Sequence, residues 1–201
     1  MIIASECTNK TDEQIVALTL KNQEYYLYIM KRYEAKLLNY ILKISNISRE
    51  DGEDILQEVF IKAYQNLNDF DLNFKFSNWI YSIAHNITIS AYRKKTVRPQ
   101  TTSWEDKDLN SILESTIDVE NINLQKLTYN KILTIINQLS LKYKDVLILK
   151  FVEGKDYREI SDILHKPMGT IATLINRAKK YLKQELKKEG ITFYNDKKYK
   201  Q

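Results

Sequence analysis

Apolar side chains recur at three- and four-residue intervals through most of the chain, the period of helices that bury one face. Between Thr11 and about Ser45 they fall at Ile15, Leu18, Tyr25, Tyr26, Ile29, Tyr33, Leu37, Leu38, Ile41 and Ile44. The pattern breaks over Asn46 to Asp51, where SREDGED supplies polar and acidic residues suited to a helix start, since the unpaired amides of a first turn favour negative charge. The next helix runs through ILQEVFIKAYQNL. Its expected core stripe is Ile55, Val59, Lys62 by its stem, Ala63 and Leu67, which turns Asp54, Gln57, Glu58 and Ile61 to other faces. Further on, Trp79, Ile83 and Ile87 stand four residues apart and predict another buried face.

The C-terminal half has a more specific rhythm. A helix is expected from Leu141 to Val152, stopped by Gly154 as a C-terminal cap. Asp156 and Glu159 form a capping-box pair that opens a short helix with Tyr157, Ile160, Ile163 and Leu164 inward. His165 to Met168, with Pro167 inside, makes a turn, and a longer helix follows with Ile171, Ile175, Ala178 and Leu182 inward. Short helix, tight turn and long basic helix is the helix-turn-helix pattern, whose second helix enters the major groove. Its outward set is Thr170, Ala172, Thr173, Asn176, Arg177, Lys179, Lys180 and Lys183. Thr173 and Asn176 suit base edges, Ala172 or Thr173 a thymine methyl, and the cations phosphate or guanine. The plainer alternative is a helical hairpin with a solvated lysine face.

Composition sharpens this into an all-α fold. Gly and Pro make only six of 201 residues, where an average chain carries about 12%, so the turns of a sandwich or barrel cannot be supplied. No apolar run is long enough to span a bilayer and the start lacks a secretory signal, so a cytoplasmic protein without membrane insertion is expected. Cys7 is alone, and His85 and His165 are the sole histidines. No disulfide framework, metal site, cofactor site or nucleophile-base pair is therefore expected, and no catalytic residue is assigned.

Charge divides the chain into parts. Residues 1–97 carry 12 basic and 12 acidic side chains, whereas 98–122 carry 2 basic and 6 acidic and show little apolar periodicity. Residues 123–188 carry 14 basic and 6 acidic. The expected organisation is two small helical domains, 11–97 and 123–188, joined by a flexible acidic linker over 98–122 and followed by a tail at 189–201. A basic C-terminal domain suggests a nucleic-acid contact, although lysines that merely solubilise helix faces would look similar.

Two clusters in the N-terminal half invite a functional reading. Glu50, Asp51, Glu53, Asp54 and Glu58 are acidic neighbours, but the Glu-x-x-His pairs of di-metal bundles are missing, which favours a solvated helix start or a protein-partner surface. FDLNFKFSNWIY concentrates Phe70, Phe74, Phe76, Trp79 and Tyr81 among polar residues. Exposed rings beside amides make a stacking platform for unpaired bases, and Arg93, Lys94 and Lys95 just downstream add phosphate-binding charge. A core that closes the domain is the competing reading.

Together these blocks resemble bacterial RNA polymerase sigma factors of the extracytoplasmic-function (ECF) group of the sigma-70 family. EDILQEVFIKAY with FSNWIYSIAHN resembles their region 2, a helical bundle, and KYKDVLILKFVEG, DYREISDIL, PMGTI and NRAKKYL resemble their region 4. The resemblance implies a promoter-specificity subunit without a catalytic site, which directs core RNA polymerase to promoters and helps melt the minus-ten region. It implies that Asp54, Gln57, Glu58 and Phe60 bind or support the surface for the clamp helices of the largest polymerase subunit. Region 4 would meet the upstream flap of the second-largest subunit. Phe70, Phe76, Asn78, Trp79, Tyr81, Asn86, Arg93, Lys94 and Lys95 would serve the melted non-template strand of the minus-ten element and the adjacent duplex. Thr170, Ala172, Thr173, Asn176, Arg177, Lys179 and Lys180 would read the minus-thirty-five duplex. An anti-sigma factor is a further implied partner. Ala172-Thr173-Leu174 stands where the family usually has Lys-Ser-Arg, and Ser82 where Arg is common. The runner-up is a helix-turn-helix regulator that binds operator DNA without polymerase, as a dimer on a palindrome.

Overall fold

The computed structural model describes residue 7, residues 9–96 and residues 132–188, and every regular element among these is helical. Helix α1 (Asp12–Thr19) is opened by a capping box in which Thr11 and Gln14 satisfy each other's backbone amides. A short 3-10 turn (Gln23–Tyr25) leads into α2 (Tyr26–Ser45), which ends on Asn46 in the left-handed conformation at φ 52°. The Ser48 side chain accepts from the Asp51 amide and starts α3 (Arg49–Gln65). After the 3-10 turn Leu67–Asp69 and a loop, α4 spans Phe76–Thr96.

Helices α2, α3 and α4 pack on one another, with α1 laid against α2. Ile29, Leu37, Ile41, Val59, Ala63, Phe76, Ile80 and Ala84 are fully buried between them. Each large aliphatic side chain so placed contributes about 1.5–3 kcal/mol relative to exposure. Gly52 lets α2 and α3 approach, because a Cβ there would stand 2.6 Å from Leu42 Cδ2. The buried face of α3 is wider than the expected stripe. Leu56 and Phe60 are buried and Lys62 is exposed, because α3 contacts both α2 and α4 rather than one partner. The Tyr26 hydroxyl closes the α2/α3 seam by donating to the Phe60 carbonyl at 2.6 Å.

In the C-terminal half, a helical stretch at 132–138 precedes α5 (Leu141–Leu147). The expected single helix to Val152 changes character at Ile148, where residues Ile148–Val152 form a π-helical turn. Helix α6 (Tyr157–Leu164) starts with the Asp156/Glu159 capping box and ends on His165 at φ 50°. After Lys166 and Pro167, α7 runs over Met168–Lys188. Ile160, Ile163, Ile171, Ile175 and Ala178 are buried among α5, α6 and α7, and Leu182 is half-buried behind them.

The two halves share one apolar core rather than standing apart. Helix α6 packs along α4, and α2 meets both α5 and the π-helical turn. The linker 98–122 and the tail 189–201 lie outside the described residues.

Candidate nucleic-acid interface

The phase of α4 decides what the aromatic segment does. Because the helix begins at Phe76, residues Phe76, Ile80 and Ala84 share its inner face, and all three are fully buried. The Glu13 carboxylate accepts from the Phe76 amide at 3.0 Å and so anchors that start. Phe70 and Tyr81 are also buried, and Phe70, Phe76 and Trp79 form a mutual ring cluster at 5.1–5.5 Å. Three rings expected at a stacking platform, Phe70, Phe76 and Tyr81, therefore sit in the core. The ring that faces solvent is Phe74, 65% exposed in the loop, with Trp79 half-buried beside it.

A cleft of about 560 Å³ opens at this point, lined by Phe70, Phe74, Asn78, Trp79, Ser82 and Asn86, with Asp162 and His165 across from them. Asn86 is exposed, as are Arg93 and Lys94 further along α4. The side chain of Lys95 lies outside the described residues. Asn78 and Ser82 are each only 7% exposed, and both already have partners. The Asn78 amide donates to Asp162 Oδ2 at 3.0 Å, and Ser82 Oγ is 2.8 Å from His165 Nε2. Around this pair, Lys75 meets Glu159 at 3.0 Å, Lys155 donates to Ser77 Oγ at 3.3 Å, and the Tyr81 hydroxyl donates to Glu153 at 2.6 Å. None of these five contacts was visible in the spacing, since their partners stand 72 to 84 residues apart.

Buried ionisable groups gather at the same junction. Burial pushes the Asp145 carboxyl up to about 7 against the opposing influence of Lys144 and Lys166, and its Oδ1 has no hydrogen-bond partner. Burial lowers Lys144 to about 8, with Asp145 resisting. Glu153 is raised by burial, while its bond from Tyr81 and nearby Lys43, Lys155 and Lys36 hold it back. His85, 3.2 Å from the Tyr40 hydroxyl through Nδ1, is lowered to about 4 by burial and by Lys166, His165 and Arg93. Unpaired or weakly paired charge in an apolar setting is costly, so this junction is held at some expense.

The α7 surface carries Thr170, Thr173, Asn176, Arg177, Lys179 and Lys180 exposed, with Ala172 half-buried. Thr173 Oγ1 donates back to the Gly169 carbonyl at 2.9 Å, and Lys179 lies over the exposed Phe151 ring at 5.2 Å. Asp54, Gln57 and Glu58 are exposed on α3, whereas Phe60 is buried beneath that surface. Exposed Leu27, Ile61 and Tyr64 join Gln57 and Met30 around a groove of about 1,090 Å³ between α2 and α3. The signal for it was Ile61, an apolar residue off the core stripe. Among the described residues the acidic side chains form no cluster able to hold a metal ion, and no helix is long and apolar enough to cross a membrane.

Two sigma-70 modules account for this arrangement. The family model described as Sigma-70 region 2 matches residues 29–98, and that of Sigma-70, region 4 matches residues 129–182. The ECF RNA polymerase sigma factor SigW of Bacillus subtilis is 33% identical over 172 residues, covering 83% of this chain and 91% of that protein. The chain belongs to the ECF sigma factors of the sigma-70 family. The fold is similar to that of CnrH, solved in complex with the cytosolic domain of CnrY, with a TM-score of 0.67 at 19% identity over 90% of this chain and 99% of that one. It is also similar to the sigma factor RpoE, solved in complex with the anti-sigma factor NepR from Bartonella quintana, with a TM-score of 0.60 at 19% identity over 81% and 96% of the two chains.

Proposed function

We propose that this chain is an alternative sigma factor that brings core RNA polymerase to specific promoters, without a catalytic site of its own and acting in the cytoplasm. The observation that carries the reading is the presence, in one chain, of a helix-turn-helix with an exposed basic outer face on α7 and of an aromatic and amide-lined cleft on α4 that α6 bounds on one side. A duplex reader and a single-strand reader together suit a protein that recognises a promoter and holds it open. A polymerase-independent repressor needs only the first.

In this mechanism α7 presents Thr173, Asn176, Arg177, Lys179 and Lys180 to the upstream duplex. Its lysines and arginine neutralise phosphates, while Asn176 offers the donor and acceptor pair suited to a base edge. Asn78, Trp79, Phe74 and Asn86 receive the unpaired strand. Separating bases costs a few kcal/mol per step, and stacking on an aromatic ring returns roughly 1–3 kcal/mol per base. Phe70 and Phe76 hold Trp79 in place from beneath, and Tyr81 anchors the far side of α4. Asp54, Gln57 and Glu58, with the groove around Ile61, form the surface for polymerase, and 98–122 link the two readers.

Run-off transcription with purified core polymerase on fragmented genomic DNA tests the proposal. Discrete new transcripts that depend on this protein are expected. Their absence, combined with tight operator binding by the protein alone, would replace it with the repressor reading. Trp79→Ala should impair open-complex formation while leaving upstream duplex binding by the holoenzyme within about twofold, because the ring acts only on melted DNA. Equal loss of both would refute the assignment of the cleft.

A further inference from the structure

The inner face of α7 fixes what its outer face offers. Ile171, Ile175 and Ala178 are fully buried. At about 100° per residue the side opposite them is traced by Gly169, Thr173, Asn176 and Lys180, all four exposed. Arg177 and Lys179 leave the helix on opposite flanks of that line. Lys180 stands 11 residues beyond Gly169, about 16 Å along the axis at ~1.5 Å per residue. The first two turns of the line, the part that a recognition helix brings to base edges, therefore present short, uncharged side chains.

Gly169 has no use inside the chain. It lies within α7, and a Cβ there would meet nothing within 4 Å. Neither a turn nor a close neighbour calls for glycine, which is a poor helix residue. What the missing side chain provides is clearance outward, the condition for a backbone to come close to a ligand. Thr173 Oγ1 donates its proton to the Gly169 carbonyl at 2.9 Å. That bond turns the oxygen back to the helix and leaves no proton for the N7 and O6 acceptors of guanine, so the methyl is the group offered to a base. Asn176 is the amide of the line, and an amide matches adenine by donating to N7 and accepting from N6. Residues three apart on a helix have Cβ atoms about 5–6 Å apart, which is one or two base-pair steps at ~3.4 Å each.

We infer that Thr173 and Asn176, brought close by the bare Gly169, make α7 a reader of neighbouring A·T pairs in the upstream duplex. Asn176 pairs with an adenine through N6 and N7, and the Thr173 methyl packs on the methyl of a thymine one or two steps away. The flanking cations hold the phosphate strands and carry no base preference. The inference rests on the assignment of α7 to the upstream duplex and names the base pairs that it selects.

The test uses holoenzyme assembled from core polymerase and the full chain. Its probe is a duplex library randomised over the upstream element, in front of the fixed, pre-melted downstream half of a promoter found by run-off transcription. Selected duplexes should carry the A·T pairs, and two base analogues then probe them: 7-deazaadenine, which lacks N7, and deoxyuridine, which lacks the thymine methyl. Asn176→Ala should weaken binding about tenfold and erase the preference at a single pair, where 7-deazaadenine should cost the parent severalfold and the variant nothing. Thr173→Ser keeps the hydroxyl and removes the methyl, so deoxyuridine should cost the parent about fourfold and the variant nothing. Gly169→Ala should raise the urea midpoint of the free chain and yet weaken duplex binding, opposite signs that a merely structural glycine would not give. Selection of G·C at the pair that responds to position 176, or a preference unmoved by the first two variants, would overturn the inference while leaving α7 as a duplex reader. Unchanged binding by Gly169→Ala would overturn the close approach. No enrichment over polymerase alone would overturn the inference together with the assignment of α7 beneath it.

Discussion

Replacing Asp145 with Asn isolates the cost of the charge buried at the junction. Burial raises this carboxyl from 3.8 to about 7. A carboxyl that binds its proton more tightly in the folded chain than in the unfolded one favours folding fully at low pH, and that advantage is lost as pH rises towards the folded value. The shift of about three units, at ~1.4 kcal/mol each, amounts to about 4 kcal/mol lost between pH 4 and 7. His85 hides the effect in the parent protein. Burial lowers it from 6.5 to about 4, so the unfolded chain takes up that proton first and stability falls as pH drops through the same range. Between pH 4 and 6.5 the two slopes oppose each other. The variant keeps His85, whose contribution cancels in the difference in unfolding free energy between variant and parent, and the comparison is made below pH 7, clear of Lys144, which the Asp145 charge holds up. Measured by urea unfolding followed by circular dichroism at a series of pH values, the difference should move in the variant's favour by about 1.4 kcal/mol per unit from pH 4 to 7. A difference that is flat across that range would refute the claim that Asp145 is held in an apolar setting.

Two other substitutions bear on the fold and on the duplex reader. Ile80→Ala, at a fully buried position on the inner face of α4, should cost about 2–5 kcal/mol in the same unfolding assay. Arg177→Ala should weaken holoenzyme binding to upstream duplex and reduce the slope of log affinity against log salt by about one, measured by titration at several salt concentrations.

Most helices and their inward residues were legible from periodicity, because each buries a face whose spacing is local. The capping box at Asp156 and the helix-turn-helix turn at His165 were legible for the same reason. What failed was the phase of the aromatic segment. Spacing alone did not say which of Phe70, Phe74, Phe76, Trp79 and Tyr81 faced inward, since that depends on where α4 begins, and its start is fixed by Glu13, 63 residues away. Lys62 was misplaced for a related reason: a helix with two neighbours needs a broader apolar face than a helix with one. Asp145 gave no sign at all, because KYKDV reads as an ordinary charged surface until another domain is laid over it. The polar bridges from Asn78 to Asp162 and from Ser82 to His165 belong to the same class, being pairings without any local pattern.

The π-helical turn at Ile148–Val152 has an effect on how the C-terminal half tolerates changes in length. An α-helix turns about 100° per residue, and a π turn accommodates one more residue than the regular helix would. Removing any one residue from this stretch would restore an ordinary helix and rotate all that follows by roughly a quarter turn or more. Glu153 and Lys155 would then leave Tyr81 and Ser77, and α6 and α7 would be turned relative to α5, against which α7 packs. A single-residue deletion here thus throws α5 out of register with the two helices that follow it. The additional residue of the π turn sets the angle at which α5 meets α2 while α6 lies along α4.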